Sequence, residues 1–459
     1  MSDGYVTRDD LLAENAQLRA ENARLQTENA ALREQLGTVS ERVTALERRT
    51  PPPHITANRP PVMGPRPARK RRAQNSARRR EAPTATVVHA LDRCPDCGGE
   101  LTGGTVVARR QIVEVPLAPA TVTEHCTLMR RCRQCGTTAT PVVDLSGEAL
   151  GQQRVGLRLT ALIVLLREHC RLPLGQVQRY LQTVHHLALS QGALVRLLAQ
   201  AARRGEAAAA TVLTAIRAQP LVHADETSWR EAGQNGYLWS LSSGVYHYFR
   251  RGSRRKQMVD DLLGAAFTGT LATDFYAAYD HYPGPHQRCW AHLLRAIHEL
   301  QQQYPTDAGV ARWARAVQRL YRLAVATAAV APPAALGAGE QAAWRRQQQR
   351  RYEQALAQLC TPFATQRVPQ RVLCARMLKY LPELFTFVAD PRVPADNNAA
   401  ERSVRPIAVR RKISGGTRSA AGSETRTVLW TLTDTFHAQR RNLLEAWTAL
   451  LRDPAFCPL

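Results

Sequence analysis

The chain is short of acid. Its 459 residues carry 38 Asp and Glu against 62 Lys and Arg, a formal net charge of +24. Such a field attracts polyanions, either nucleic acid or an anionic membrane surface. Long apolar runs are also missing: none approaches the roughly 18 residues that a membrane span requires, so no membrane partner is expected. The opening Met1-Ser2-Asp3-Gly4-Tyr5 is polar and acidic, unlike a secretory signal. The expectation is a cytosolic protein. In a reducing compartment the ten cysteines point to metal rather than disulfides.

What is present divides the chain into modules. Residues 1–49 read as a coiled coil. Leu11, Leu18, Leu25, Leu32, Val39 and Leu46 fall seven apart, and Asn15, Asn22, Asn29, Leu36 and Val43 form the second seam. Asparagine at three consecutive core positions favours a defined register at a cost in stability, so a weak homodimer or higher oligomer is expected. Residues 50–85 are a Pro/Arg-rich basic linker. Arg69, Lys70, Arg71 and Arg72 lie in its basic run, expected to touch DNA phosphates without sequence preference.

Residues 86–148 carry Cys94-Pro95-Asp96-Cys97-Gly98 and Cys132-Arg133-Gln134-Cys135-Gly136. Two C-x-x-C knuckles offer four thiolates to one tetrahedral ion, so a zinc-ribbon-like module with a structural Zn²⁺ is expected. The β-rich stretches Thr105–Val115 and Thr121–Arg130 are predicted as strands, and Cys126 as a core residue. Residues 149–218 read as a helical, helix-turn-helix-like DNA-binding domain, with one helix over Leu174–Val184 and another capped by Ser190.

From 219 the period changes to strands, predicted at Leu221–Ala224, Tyr237–Leu241, Val245–Phe249, Gly269–Thr273 and His286–Cys289, with a helix at about Ser253–Leu263. The order β-β-β-α-β-α-β-α resembles a ribonuclease-H-like α/β core, in which the first and fourth strands are neighbours. Residues 219–300 form its first part, 301–390 a helical insertion, 391–440 its second part and 441–459 a C-terminal tail. The whole is a multidomain α+β chain. Asp225 and Asp274 end apolar runs, and Glu401 lies in what reads as the first turns of a helix. Three carboxylates so placed suit two Mg²⁺ ions, or Mn²⁺, in a two-metal displacement at phosphorus. Glu226 competes with Asp225 for the role; Asp280 is a weaker rival, and Asp396 is better read as the helix N-cap.

His223-Ala224-Asp225-Glu226-Thr227, Thr273-Asp274-Phe275-Tyr276, Cys289-Trp290-Ala291-His292 and Asn397-Asn398-Ala399-Ala400-Glu401-Arg402-Ser403-Val404-Arg405-Pro406 together resemble the acidic-triad transposases of the insertion sequence 66 family. The resemblance implies that Asp225, Asp274 and Glu401 are the catalytic acids. It implies binding of double-stranded DNA at the terminal inverted repeats of a mobile element, strand cleavage, and transfer of the freed 3′-hydroxyl to target DNA, with accessory proteins of the same element as possible partners. Arg402, Arg405, Arg410, Arg411 and Lys412 surround the proposed site as candidate DNA contacts, and Cys289 and His292 as auxiliary residues. Two other readings remain: a zinc-containing DNA-binding transcriptional regulator, and a ribonuclease-H-like nuclease without strand transfer.

Overall fold

The computed structural model describes residues 16, 17, 19–31, 34, 82–113, 118–453 and 455–458. The chain separates into two units, Met1–Val113 and Glu114–Leu459. In the first, residues 19–31 are helical and exposed. Most of the heptad positions and all of Arg69–Arg72 lie outside the described residues.

In the second unit a five-stranded sheet is built from β3 (Leu221–Glu231), β4 (Gln234–Ser243), β5 (Tyr246–Gly252), β6 (Thr270–Thr273) and β7 (His286–Arg288). Its order is β5-β4-β3-β6-β7. The first three strands run antiparallel, while β3, β6 and β7 are parallel. Thus the first and fourth strands of the sheet lie side by side. The short β1 (Arg130–Arg131) and β2 (Thr138–Ala139) precede it.

One sheet face, carrying Val222, Ala224, Trp239 and Leu241, joins the largest core cluster. That cluster also includes residues of α1 (Leu157–Val164), α2 (Leu174–His185), α3 (Gln191–Arg217), α4 (Gln257–Leu263), α12 (Ala420–Ala438) and α13 (Leu443–Arg452). The opposite face buries Trp229, Leu238 and Phe249 against Ile407 of α11 (Asn398–Ser414) and Trp430 of α12. This alternation is the two-residue period of a strand covered on both sides. Gly205 lets α3 approach α12: a Cβ there would stand 2.5 Å from Leu432 Cδ1.

Between β7 and α11 the chain builds a second core from α5 (Trp290–Gln303), α6 (Ala308–Ala328), α7 (Ala338–Ala364), α8 (Arg371–Lys379), α9 (Leu381–Leu384) and α10 (Thr386–Ala389). Trp290 meets Tyr321 and Phe385 at centroid distances of 5.0 and 5.3 Å. Such pairs add about 0.5–1.5 kcal/mol each beyond burial.

Several expectations need correction. The stretches 105–113 and 118–129 contain no strand. Val107, Ile112, Val122 and Leu128 are exposed, so β-branched residues without a face to bury against form no sheet there. Cys126 is exposed rather than in a core. The position expected for the second crossover helix holds a 3₁₀ turn, Ala277–His281. Residues 441–459 are no tail: α13 buries Trp447, Leu450 and Leu451 in the main core, an apolar stripe that requires a partner. Ser190 does cap its helix, accepting from Ala193 N at 3.1 Å.

Candidate active site

Asp225 is not at a strand end. β3 continues six residues further to Glu231 because β4 pairs with it as far as Glu231↔Gln234. On its other edge, however, β3 pairs with β6 only as far as His223↔Ala272. Asp225 and Asp274 each stand two residues beyond that last pair. The two strands therefore bring both aspartates level, just past the point where the parallel ladder ends.

The third acid is brought in by a polar tie. Asn397, 2 % exposed, immediately precedes α11. Its Nδ2 donates to Ala224 O at 2.8 Å, and its Oδ1 lies 2.9 Å from His223 Nδ1. Its backbone N–H reaches Cys289 Sγ at 3.1 Å, and Trp290 N donates to Ala395 O at 3.0 Å. The start of α11 is thus fastened both to the residue before Asp225 and to the start of α5. Glu401, one turn in, is carried to the acids. Asn397, not Asp396, is the N-cap; Asp396 instead accepts from Asn398 N and Nδ2.

Burial is the main cause that pushes the Asp225 carboxyl up to about 7, followed by the negative charges of Glu226, Asp274 and Glu401. The Glu226 amide, 2.9 Å from Oδ1, opposes this, and no basic group is among the causes. A buried carboxylate whose charged neighbours are acids is what a divalent ion relieves.

A protein-family model, Transposase IS66 family, matches residues 152–425, more than half of the chain. The chain belongs to the IS66 transposase family. The match runs from just before α1 into α12 and takes in all three acids. No curated protein matches the chain. Membership implies a DNA-processing enzyme that binds DNA. Among the described residues no helix is long and apolar enough to cross a membrane.

In this transposase-family core the rival acids are already engaged. Glu226 points to the other face of β3, where Arg254 donates to its Oε1 at 2.8 Å and Tyr279 Oη to its Oε2 at 2.8 Å. Arg254 also stacks on Tyr276 at 4.0 Å. Asp280 pairs with Arg288 at 2.7 Å and Lys379 at 2.9 Å. Asp225 is left as the acid of β3 that faces α11.

The basic series on α11 divides. Arg402, Arg405 and Lys412 are exposed. Arg411 is held by hydrogen bonds to Ser228 and Thr227. Arg410, also expected as a DNA contact, is turned inward and 2 % exposed. Its Nη2 donates to Glu168 O at 2.7 Å and pairs with Asp434 at 3.3 Å, and its guanidinium lies over Trp430. The π-turn Leu165–His169 presents that Glu168 carbonyl. A cavity of about 540 Å³ lies along the Ala399, Arg402, Ser403 and Pro406 side of α11, walled by His223 and His247.

Cys289 and His292 fall beside the third acid. Cys289 is fully buried at the N-cap of α5, and one ligand atom each from Cys289, His292 and Glu401 lie within 4.8 Å of one another. The cysteine knuckles each adopt the same local turn. Gly98 N–H donates to Cys94 O and Cys94 N–H to Gly99 O; Gly136 N–H donates to Cys132 O and Cys132 N–H to Thr137 O. Gly98 and Gly136 have φ of 73° and 76°, which glycine adopts without strain. Hydrogen bonds from the Cys97 and Asp96 amides lower the Cys94 thiol, and the Thr137 hydroxyl then its amide lower Cys135 to about 7. Both shifts favour the thiolates that metals bind.

Asn397 and His223 tie α11 to β3, a part that the sequence reading assigns to neither, although both stand in the motifs that carry the family resemblance.

Proposed function

We propose that the protein is a DNA transposase that binds the ends of its element, cleaves strands there and transfers them to target DNA. The sheet order and the level aspartates support a ribonuclease-H-like core with Asp225, Asp274 and Glu401 as its catalytic acids. The observation that carries this reading is the pairing of β3 with β6, which brings two aspartates 49 positions apart in sequence to level points just past the end of one parallel ladder. The residues fit magnesium: the donors are hard carboxylate oxygens, and Asp225 is driven toward its neutral form first by burial and then by its acidic neighbours. Bound magnesium, or manganese, would activate the attacking oxygen and stabilise the leaving one. The three carboxylates hold and orient the ions. Asn397 fixes the approach of α11. Exposed Arg402, Arg405 and Lys412 neutralise phosphates and set the register of the DNA.

The knuckles at Cys94/Cys97 and Cys132/Cys135 are proposed to bind structural zinc, and the heptad of residues 1–49 to join two or more copies. Purified full-length protein with Mg²⁺ and DNA carrying the element's ends is expected to give nicks with free 3′-hydroxyls and joined products. Asp225→Asn, Asp274→Asn and Glu401→Gln are each expected to abolish both while sparing binding. Binding without cutting would favour the regulator reading, and cutting without joining the simple nuclease.

A further inference from the structure

We propose that Cys289, His292 and Glu401 form a second cation site, for a thiophilic divalent ion such as Zn²⁺ or Co²⁺, which shares Glu401 with the magnesium centre and rests on that assignment of Glu401. Cys289 and His292 lie three positions apart at the start of α5, a spacing that turns both to one side of the helix. Glu401 arrives from α11. All three ligand atoms already lie within 4.8 Å of one another.

Their contacts are otherwise incomplete. His292 Nε2 is 3.8 Å from Glu401 Oε1, too long for a hydrogen bond. Glu401 Oε1 and His292 Nδ1 are both shielded from water and have no hydrogen-bond partner. Leaving Oε1 unsatisfied costs free energy that an ion between it and His292 would recover. Ligand bonds of about 2.0–2.3 Å at tetrahedral angles separate donor atoms by about 3.3–3.6 Å. Drawing these three groups onto one ion therefore requires shifts of about an ångström or less. The donor set, one sulfur, one imidazole and one carboxylate, is that of zinc and not of magnesium, which prefers oxygen alone. Three protein ligands leave a fourth position for water or a phosphate oxygen.

The sharing has a consequence. With Oε1 committed to the thiophilic ion, Oε2 is the oxygen left for the magnesium centre. Occupancy of the second site would fix which way the third acid faces.

Metal-depleted full-length protein titrated with Co²⁺ alone tests the assignment, read by metal content and by the visible and thiolate-to-cobalt absorption of the bound ion. His292→Ala and Cys289→Ser are each expected to lose one site's share of the thiolate-to-cobalt absorption seen in the parent, with that absorption unchanged in Asp225→Asn. His292 is one-third exposed, so His292→Ala keeps the test decisive if Cys289→Ser fails to fold. Unchanged cobalt content and spectrum in a folded His292→Ala would overturn the proposal and leave a cysteine N-cap beside a histidine. The count is independent of cleavage. A failure of the magnesium reading appears instead as cleavage that survives Asp225→Asn.

Discussion

The protein carries two sets of metal-type donors, and they are assembled in opposite ways. Each cysteine knuckle is local: five or six consecutive residues, closed by their own backbone hydrogen bonds and a glycine of positive φ. Around them apolar residues such as Val107 and Val142 stand exposed, 96 % and 100 %. The acid cluster is the reverse. Its members come from β3, the end of β6 and α11, and they meet because a packed core and a buried asparagine hold those elements together. The zinc proposed for the first set would supply its order; the second has order without an ion.

Metal removal should expose that contrast most strongly. Chelating zinc from the full-length protein is expected to strip protection from amides in 82–113 and 130–139 while the central sheet keeps its own. Structural zinc is worth about 10 kcal/mol or more in small modules. Hydrogen exchange reads this, and equal loss in β3 and β6 would erase the distinction.

Arg410→Ala is next. It leaves Asp434 and the Glu168 carbonyl without their buried partner, at a cost of about 3–5 kcal/mol in denaturant unfolding. A variant of parental stability that merely bound DNA less well would return Arg410 to the DNA surface.

The acid cluster should also make stability depend on pH in the metal-free protein. The carboxyl of Asp225 sits at about 7 in the folded state against 3.8 ordinarily. The folded state thus binds the extra proton, and stability present below about pH 4 is lost as pH rises toward 7, by up to about 4 kcal/mol. Saturating Mg²⁺ should flatten that loss. Metal-free stability rising from pH 4 to 7 in the parent relative to Asp225→Asn would contradict the burial of an uncompensated charge.

The smallest effect belongs to the tie itself. Asn397→Ala leaves Ala224 O and His223 without a partner and should cost about 1–3 kcal/mol. Cleavage should fall further than that stability loss explains, because Glu401 loses its placement. Equal effects on folding and cleavage would make Asn397 a core residue only.

The same contrast explains what is legible in the sequence. The knuckles are legible because ligand spacing and a following glycine act within one turn. The acids are legible as candidates, since each follows an apolar run or starts a helix. Their choice among neighbours depends on which face of a strand each takes: Glu226 and Asp225 differ by one residue and point to opposite sides of β3. Strand length is less legible, because β3 outruns its apolar segment through pairing with β4. The exposed β-branched residues at 105–113 mislead for the converse reason, a strand composition with nothing to pack on. Glu401 gathers Cys289 and His292 from 109 to 112 positions away, a meeting that only the helical insertion's route back to the sheet creates.

The central claim is that Asp225, Asp274 and Glu401 form one divalent-ion site. Manganese binding to the metal-depleted protein, followed by electron paramagnetic resonance, tests it without any DNA. Asp225→Asn, Asp274→Asn and Glu401→Gln are each expected to weaken binding at least about tenfold while each variant remains folded. Manganese affinity unchanged in all three, or lost in one alone, would contradict it.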